Sequence, residues 1–85
     1  MANSPHMPTA LISSKQLGHI LKSRRRALGL TQKQVAAKLA ITQARLSQIE
    51  SDPAVLTVDR LLDICNLLQL DVSVGDRKKP PQTHW

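Results

Sequence analysis

Apolar positions recur at helical spacing in four stretches of the chain, each preceded by a hydroxyl residue. Ser13 has Gln16 three residues on, with Ile12 before it and Leu17 after it. That pattern marks a helix N-terminus: the hydroxyl takes a free backbone N–H and the flanking apolar pair staples the chain where the helix begins. Leu17, Ile20, Leu21 and Leu28 then make one apolar stripe, and Gly29 is placed to end the helix. Thr31 repeats the arrangement with Gln34, Leu30 and Val35, predicting a second helix from about Gln32 to Leu39 that buries Val35, Ala36 and Leu39. Thr42, between Ile41 and Leu46, opens a third helix from Gln43 to about Ser51, with Leu46 and Ile49 turned toward the core. After a loop at Ser51 to Ala54, Thr57 caps a fourth helix, with Leu56 and Leu61 as its staple. Leu61, Ile64, Cys65 and Leu68 mark its apolar face, Val58 joins at its start, and Leu62 and Leu67 widen it.

The second and third helices are separated by only about three residues, Leu39 to Ile41. Two helices so closely joined form a helix-turn-helix, whose second member enters the DNA major groove. Ala40 stands in the turn, where a positive φ suits Gly best; Ala there costs on the order of 1 kcal/mol. Beyond the fourth helix, Leu70-Asp-Val-Ser-Val74 switches to period two, with Leu70, Val72 and Val74 on one side. This is a short strand signal ending at Gly75. A strand cannot satisfy its backbone alone and no second strand is visible, so the expected partner is the same strand of another subunit. The expected fold class is all-α: a compact domain of four to five helices with one short C-terminal strand pairing across a dimer. The chain divides into a disordered segment over 1–12, a DNA-binding domain over 13–69, a dimerisation strand over 70–75 and a flexible tail over 76–85.

Charge sharpens the functional side of this picture. Residues 1–49 hold eight Lys or Arg and no Asp or Glu, whereas residues 50–85 hold four Lys or Arg and six Asp or Glu. A basic half that also carries a helix-turn-helix is the electrostatic footprint of a nucleic-acid binder. Eighty-five residues make one small domain, with a core marginal enough that oligomerisation is expected. No apolar run is long enough for a membrane helix and no signal-peptide pattern is present, so a cytoplasmic location is expected, nucleoid-associated when DNA is bound. The lone Cys65 excludes an internal disulfide and reads as a small core residue. His6, His19 and His84 are scattered, so no metal site or other cofactor is expected, and His19 reads as a surface or boundary residue. The chain lacks a Gly-rich phosphate loop and a histidine–carboxylate cluster, and no enzyme is expected.

Leu21-Lys-Ser-Arg-Arg-Arg-Ala-Leu-Gly-Leu-Thr-Gln32, followed by Ala36, Ile41 and Leu46-Ser-Gln-Ile-Glu50, resembles the Cro/C1-type (Xre) helix-turn-helix family, lambda-repressor-like in fold. The strand signal, the overall size and the terminal Trp85 look more narrowly like HipB-type antitoxins. The resemblance implies a dimeric DNA-binding repressor of its own operon that also binds a HipA-type serine/threonine kinase toxin. It further implies an ion pair between Arg25 and Glu50, the first acid in the chain, bracing the third helix. Arg24, Arg26 and Lys22 keep the ordinary alternative of a solvated helix face.

The third helix supplies the expected base readers. Gln43 can pair bidentately with adenine N6 and N7, Ala44 and the Thr42 methyl can touch a thymine methyl, and Ser47 or Gln48 can bond a base edge. Arg45 either reads a guanine or binds phosphate. Backbone N–H groups opening the second helix, assisted by Thr31 and Gln32, are expected to hold a phosphate, with Lys33, Lys38 and Arg24 adding charge. A twofold dimer then binds palindromic operator DNA with half-sites about 34 Å, or a multiple of that, apart. Trp85, the only aromatic residue, is a candidate partner-binding anchor in the tail, with a proteolysis signal and an incidental tail residue as the alternatives. Two other functional readings fit parts of the chain: a stand-alone Xre-type repressor without a toxin, and a protein-only inhibitory module.

Overall fold

A computed structural model of the protein describes residues 10, 11 and 13–76. The expected disorder of 1–12 falls largely outside the described residues, and the tail over 77–85 with Trp85 falls wholly outside them. Among the described residues four α-helices follow one another: α1 (Ser14–Ala27), α2 (Gln32–Lys38), α3 (Gln43–Ser51) and α4 (Val58–Leu67), with a single 3₁₀ turn at Pro53–Val55 before α4.

Each α-helix starts the same way. The Ser13, Thr31, Thr42 and Thr57 hydroxyls accept from the backbone N–H groups of Gln16, Gln34, Arg45 and Arg60 at 3.0–3.2 Å. At Thr31 the box is closed from both sides, because the Gln34 side-chain oxygen accepts from the Thr31 N–H at 2.8 Å. The ends are also alike. Gly29, Ala40 and Gln69 have φ of +73°, +57° and +59°. The next residue in each case reaches back five positions: Leu30 N–H donates to Arg25 carbonyl, Ile41 to Ala36 and Leu70 to Cys65, at 3.1, 3.0 and 2.8 Å. These are Schellman closures, and the residue after each folds its apolar side chain onto the core. Only one of the three left-handed positions is a glycine, so Ala40 and Gln69 are held there by the packing of Ile41 and Leu70.

The core is built from Leu21 of α1, Val35 and Ala36 of α2 with Leu39, Leu46 and Ile49 of α3, and Ile64 and Cys65 of α4 with Leu68. A seven-residue helix such as α2 is marginal by itself, so packing into this core holds it. Burial pushes the Cys65 thiol above its ordinary pKa, which leaves it protonated and packed as an apolar group.

One expectation needs correcting. Val58 does not join the core; it is 71% exposed, and Leu62, one turn on, is 42% exposed. The pair lies on the flank of α4, away from the row through Leu61, Ile64, Cys65 and Leu68. The segment 70–76 forms no strand in the single chain. Leu70 closes α4 and packs on the core, while Val72 and Val74 are 51% and 98% exposed. An isolated segment has no ladder to join, so period-two sequence alone cannot make a strand here.

Gly18 was not singled out by the sequence pattern. A Cβ added to it would collide with the Glu50 carbonyl oxygen and approach Pro53 Cγ to 3.1 Å. Here α1 crosses the end of α3 at backbone contact, which fixes how far α3 stands out from the body of the domain.

Candidate nucleic-acid interface

The outer face of α3 is polar and open. Gln43, Ala44, Arg45, Ser47 and Gln48 are all exposed, as is Thr42 just before them, while Leu46 and Ile49 are buried beneath. The Thr42 hydroxyl caps the helix through Arg45 N–H, which leaves its methyl group as the part free for contact. Arg45 Nη1 donates to Gln48 Oε1 at 2.8 Å, linking two of the expected base readers one turn apart.

A buried polar network fixes this helix to the rest of the domain. Arg25, 7% exposed, donates from Nε and Nη2 to the two Glu50 carboxylate oxygens at 2.6 and 3.2 Å, a forked pair. Its Nη1 donates to the Leu30 carbonyl at 2.9 Å, so one guanidinium joins the end of α3 to the turn before α2. Gln32, the first residue of α2, adds a bond from Nε2 to Glu50 Oε1 at 3.0 Å. Burial pulls the Glu50 carboxyl upward. The hydrogen bonds from Arg25 and Gln32 and the charges of Arg25 and Lys22 outweigh it and hold the pKa below its ordinary value.

Thr31 and Lys33 are exposed beside Gln32 at the start of α2. Lys38 is exposed at the other end of that helix. Arg24 is turned elsewhere: its Nε donates to the Leu68 carbonyl at 2.9 Å, closing the C-terminus of α4. Arg60 does the same for α2, donating from Nη1 to the Leu39 carbonyl at 3.1 Å. Both contacts join residues far apart in sequence, and no local spacing announces them.

Two shallow hollows separate α1 from the α2–α3 unit. One is lined by Lys22, Arg26, Gly29, Thr31, Gln32 and Gln43. The other is lined by Lys15, His19, Lys22, Gln32, Ser47 and Ser51, with Gly18 and Glu50 at its floor. Lys22, Arg26 and His19, read above as surface residues, therefore share walls with the exposed side of α3. The described residues hold no group of His, Cys, Asp and Glu that could bind a metal ion, and no helix among them is long and apolar enough to cross a membrane.

This geometry can be set beside known proteins. The helix-turn-helix family pattern matches residues 21–74. The chain belongs to the Cro/C1-type helix-turn-helix family. Antitoxin HipB of Escherichia coli (strain K12) is 32% identical over 68 residues, which are 80% of this chain and 77% of that protein. Among solved structures, a chain of the HipA-HipB-O2-O3 complex superposes with a TM-score of 0.73 at 31% identity, over 82% of this chain and 99% of that one. A chain of a HipB-O1-O2 complex gives 0.71 at 31% identity, over 80% and 99%. Membership in this family gives the α2–α3 pair its place as the helix-turn-helix proper, with α1 and α4 as its support.

Proposed function

We propose that the protein is a sequence-specific DNA-binding repressor that serves as the antitoxin of a type II toxin–antitoxin system. It acts by binding and not by catalysis, represses its own operon, and binds a HipA-like kinase toxin. The observation that carries this reading is the exposed polar face of α3, held by the Arg25–Glu50–Gln32 network on a domain similar to HipB chains in complexes that include HipA, O1, O2 and O3.

In this reading the domain over 13–69 binds operator DNA in the cytoplasm as a homodimer. Gln43 takes an adenine edge, Ala44 and the Thr42 methyl meet thymine methyls, and Ser47 and Gln48 bond further base edges. Arg45, tethered to Gln48, contacts a guanine or a phosphate. Thr31, Gln32 and Lys33 hold a backbone phosphate near the start of α2, with Lys38 adding long-range charge. Arg24 contributes through its charge while its Nε caps α4. The segment 70–75, with Val72 and Val74 exposed, pairs with its copy in the dimer, which supplies the missing ladder. The test is twofold. Fluorescence anisotropy should show the protein binding a duplex of its own promoter more tightly than a scrambled one, and co-expression with a HipA-like kinase should yield a co-purifying complex. Equal affinity for both duplexes would remove the repressor role; a kinase that never co-purifies would remove the antitoxin role.

A further inference from the structure

Lys15, His19, Lys22 and Arg26 succeed one another along α1 at intervals of four, three and four residues. That spacing puts them on one face, over roughly 16 Å of helix at 1.5 Å per residue. The two hollows described above run along this face and meet at Lys22 and Gln32, which line both. Their far wall is α3 and its start, through Gln43, Ser47 and Ser51.

The basic residues of α1 divide into two groups by what they touch. Arg25 is spent on Glu50 and the Leu30 carbonyl, and Arg24 on the Leu68 carbonyl. Among the described residues, no ion pair or side-chain hydrogen bond engages Lys15, His19, Lys22 or Arg26. The one acid in the hollows, Glu50, is taken up by Arg25 and Gln32. What remains is a row of donors without a hydrogen-bond or ion-pair partner, of which Lys22 also feels the Glu50 charge, beside a polar wall. A protein partner would need an apolar anchor site at its centre, and the walls offer only the half-buried Leu30. A polyanion with evenly spaced charges fits the row better.

We propose that α1 is a second phosphate track, in which Lys15, His19, Lys22 and Arg26 lie along the DNA strand bordering the groove that α3 enters. This rests on the DNA-binding reading above and extends it, because the contacts run beside α3 and not only at the start of α2. The track adds affinity without sequence preference, since phosphates carry none. It also restrains α3 from rotating in the groove.

The test compares wild type with Lys15→Gln, Arg26→Gln and the Lys15→Gln/Arg26→Gln pair, on the promoter duplex and a scrambled duplex, over a salt series. The expected result is a salt slope shallower by about 0.9 per lost cation per bound subunit, with the same fold-loss of affinity on both duplexes. Lys15→Glu should lose more than Lys15→Gln. All these positions are outside the core, and matching circular dichroism melts confirm that folding is intact. Wild-type binding with an unchanged slope in the variants overturns the track while leaving the α3 reading standing. Absence of promoter binding by wild type overturns both.

Discussion

At the scale of single residues, the Glu50 carboxylate is where stability and function meet. Its folded pKa lies below its ordinary value, so its bonds to Arg25 and Gln32 stabilise the fold above the unfolded carboxyl range. That contribution is lost as pH falls through the lowered folded pKa. Urea midpoints should therefore drop on the acid side of pH 4.5, and the Glu50→Gln variant should show a weaker drop there. Equal acid sensitivity in the two proteins would contradict the assignment. Arg25→Ala should cost more than Glu50→Gln, about 3–5 kcal/mol, because it strands a buried carboxylate. Gly18 offers a second residue-level test. Gly18→Ala should destabilise by about 1–3 kcal/mol through overpacking against the Glu50 carbonyl and Pro53, read as a lower urea midpoint at constant slope. Unchanged stability would mean that α1 and α3 can separate freely.

At the scale of elements, the helix starts were legible and the helix ends were partly so. A hydroxyl with an apolar residue on each side is a local signal, and all four caps can be read from a few neighbouring residues. Gly29 as a helix end is equally local. Gln69 escaped notice because its left-handed φ is imposed by Leu70 seeking the core, which is a tertiary cause. The mismatch at Ala40 was visible, and its φ of +57° gives it an energetic meaning. Ala40→Gly should stabilise the protein by about 1 kcal/mol, measured by thermal or urea unfolding, since Gly carries no Cβ penalty at that φ. Destabilisation would place the turn elsewhere. The period-two signal over 70–74 is local, and the single chain leaves that segment without regular structure.

At the scale of the whole molecule, charge and packing divide the chain into parts with different duties. The acid-free first half supplied the electrostatic argument, and the polar outer face of α3 followed from helical geometry alone. The Arg25–Glu50 pair came from family resemblance, because no spacing rule links residues so far apart. Arg24 on Leu68, Arg60 on Leu39 and the shared groove of α1 and α3 were not legible at all. Each joins elements that only the tertiary fold brings together. The core is small, and the exposed Val58, Leu62, Val72 and Val74 leave apolar surface uncovered in the single chain. This matches the expectation that so short a chain completes its structure in a dimer.

In the proposed function α3 reads sequence while charged side chains around it supply affinity. The most direct measurement is the ratio of affinities for the promoter duplex and a scrambled duplex, in wild type and in Gln43→Ala, at fixed salt. Gln43→Ala should lose about 1–3 kcal/mol on the promoter and almost nothing on scrambled DNA, so that the ratio collapses. A ratio untouched by Gln43→Ala, with wild type still preferring its promoter, would contradict this reading of α3.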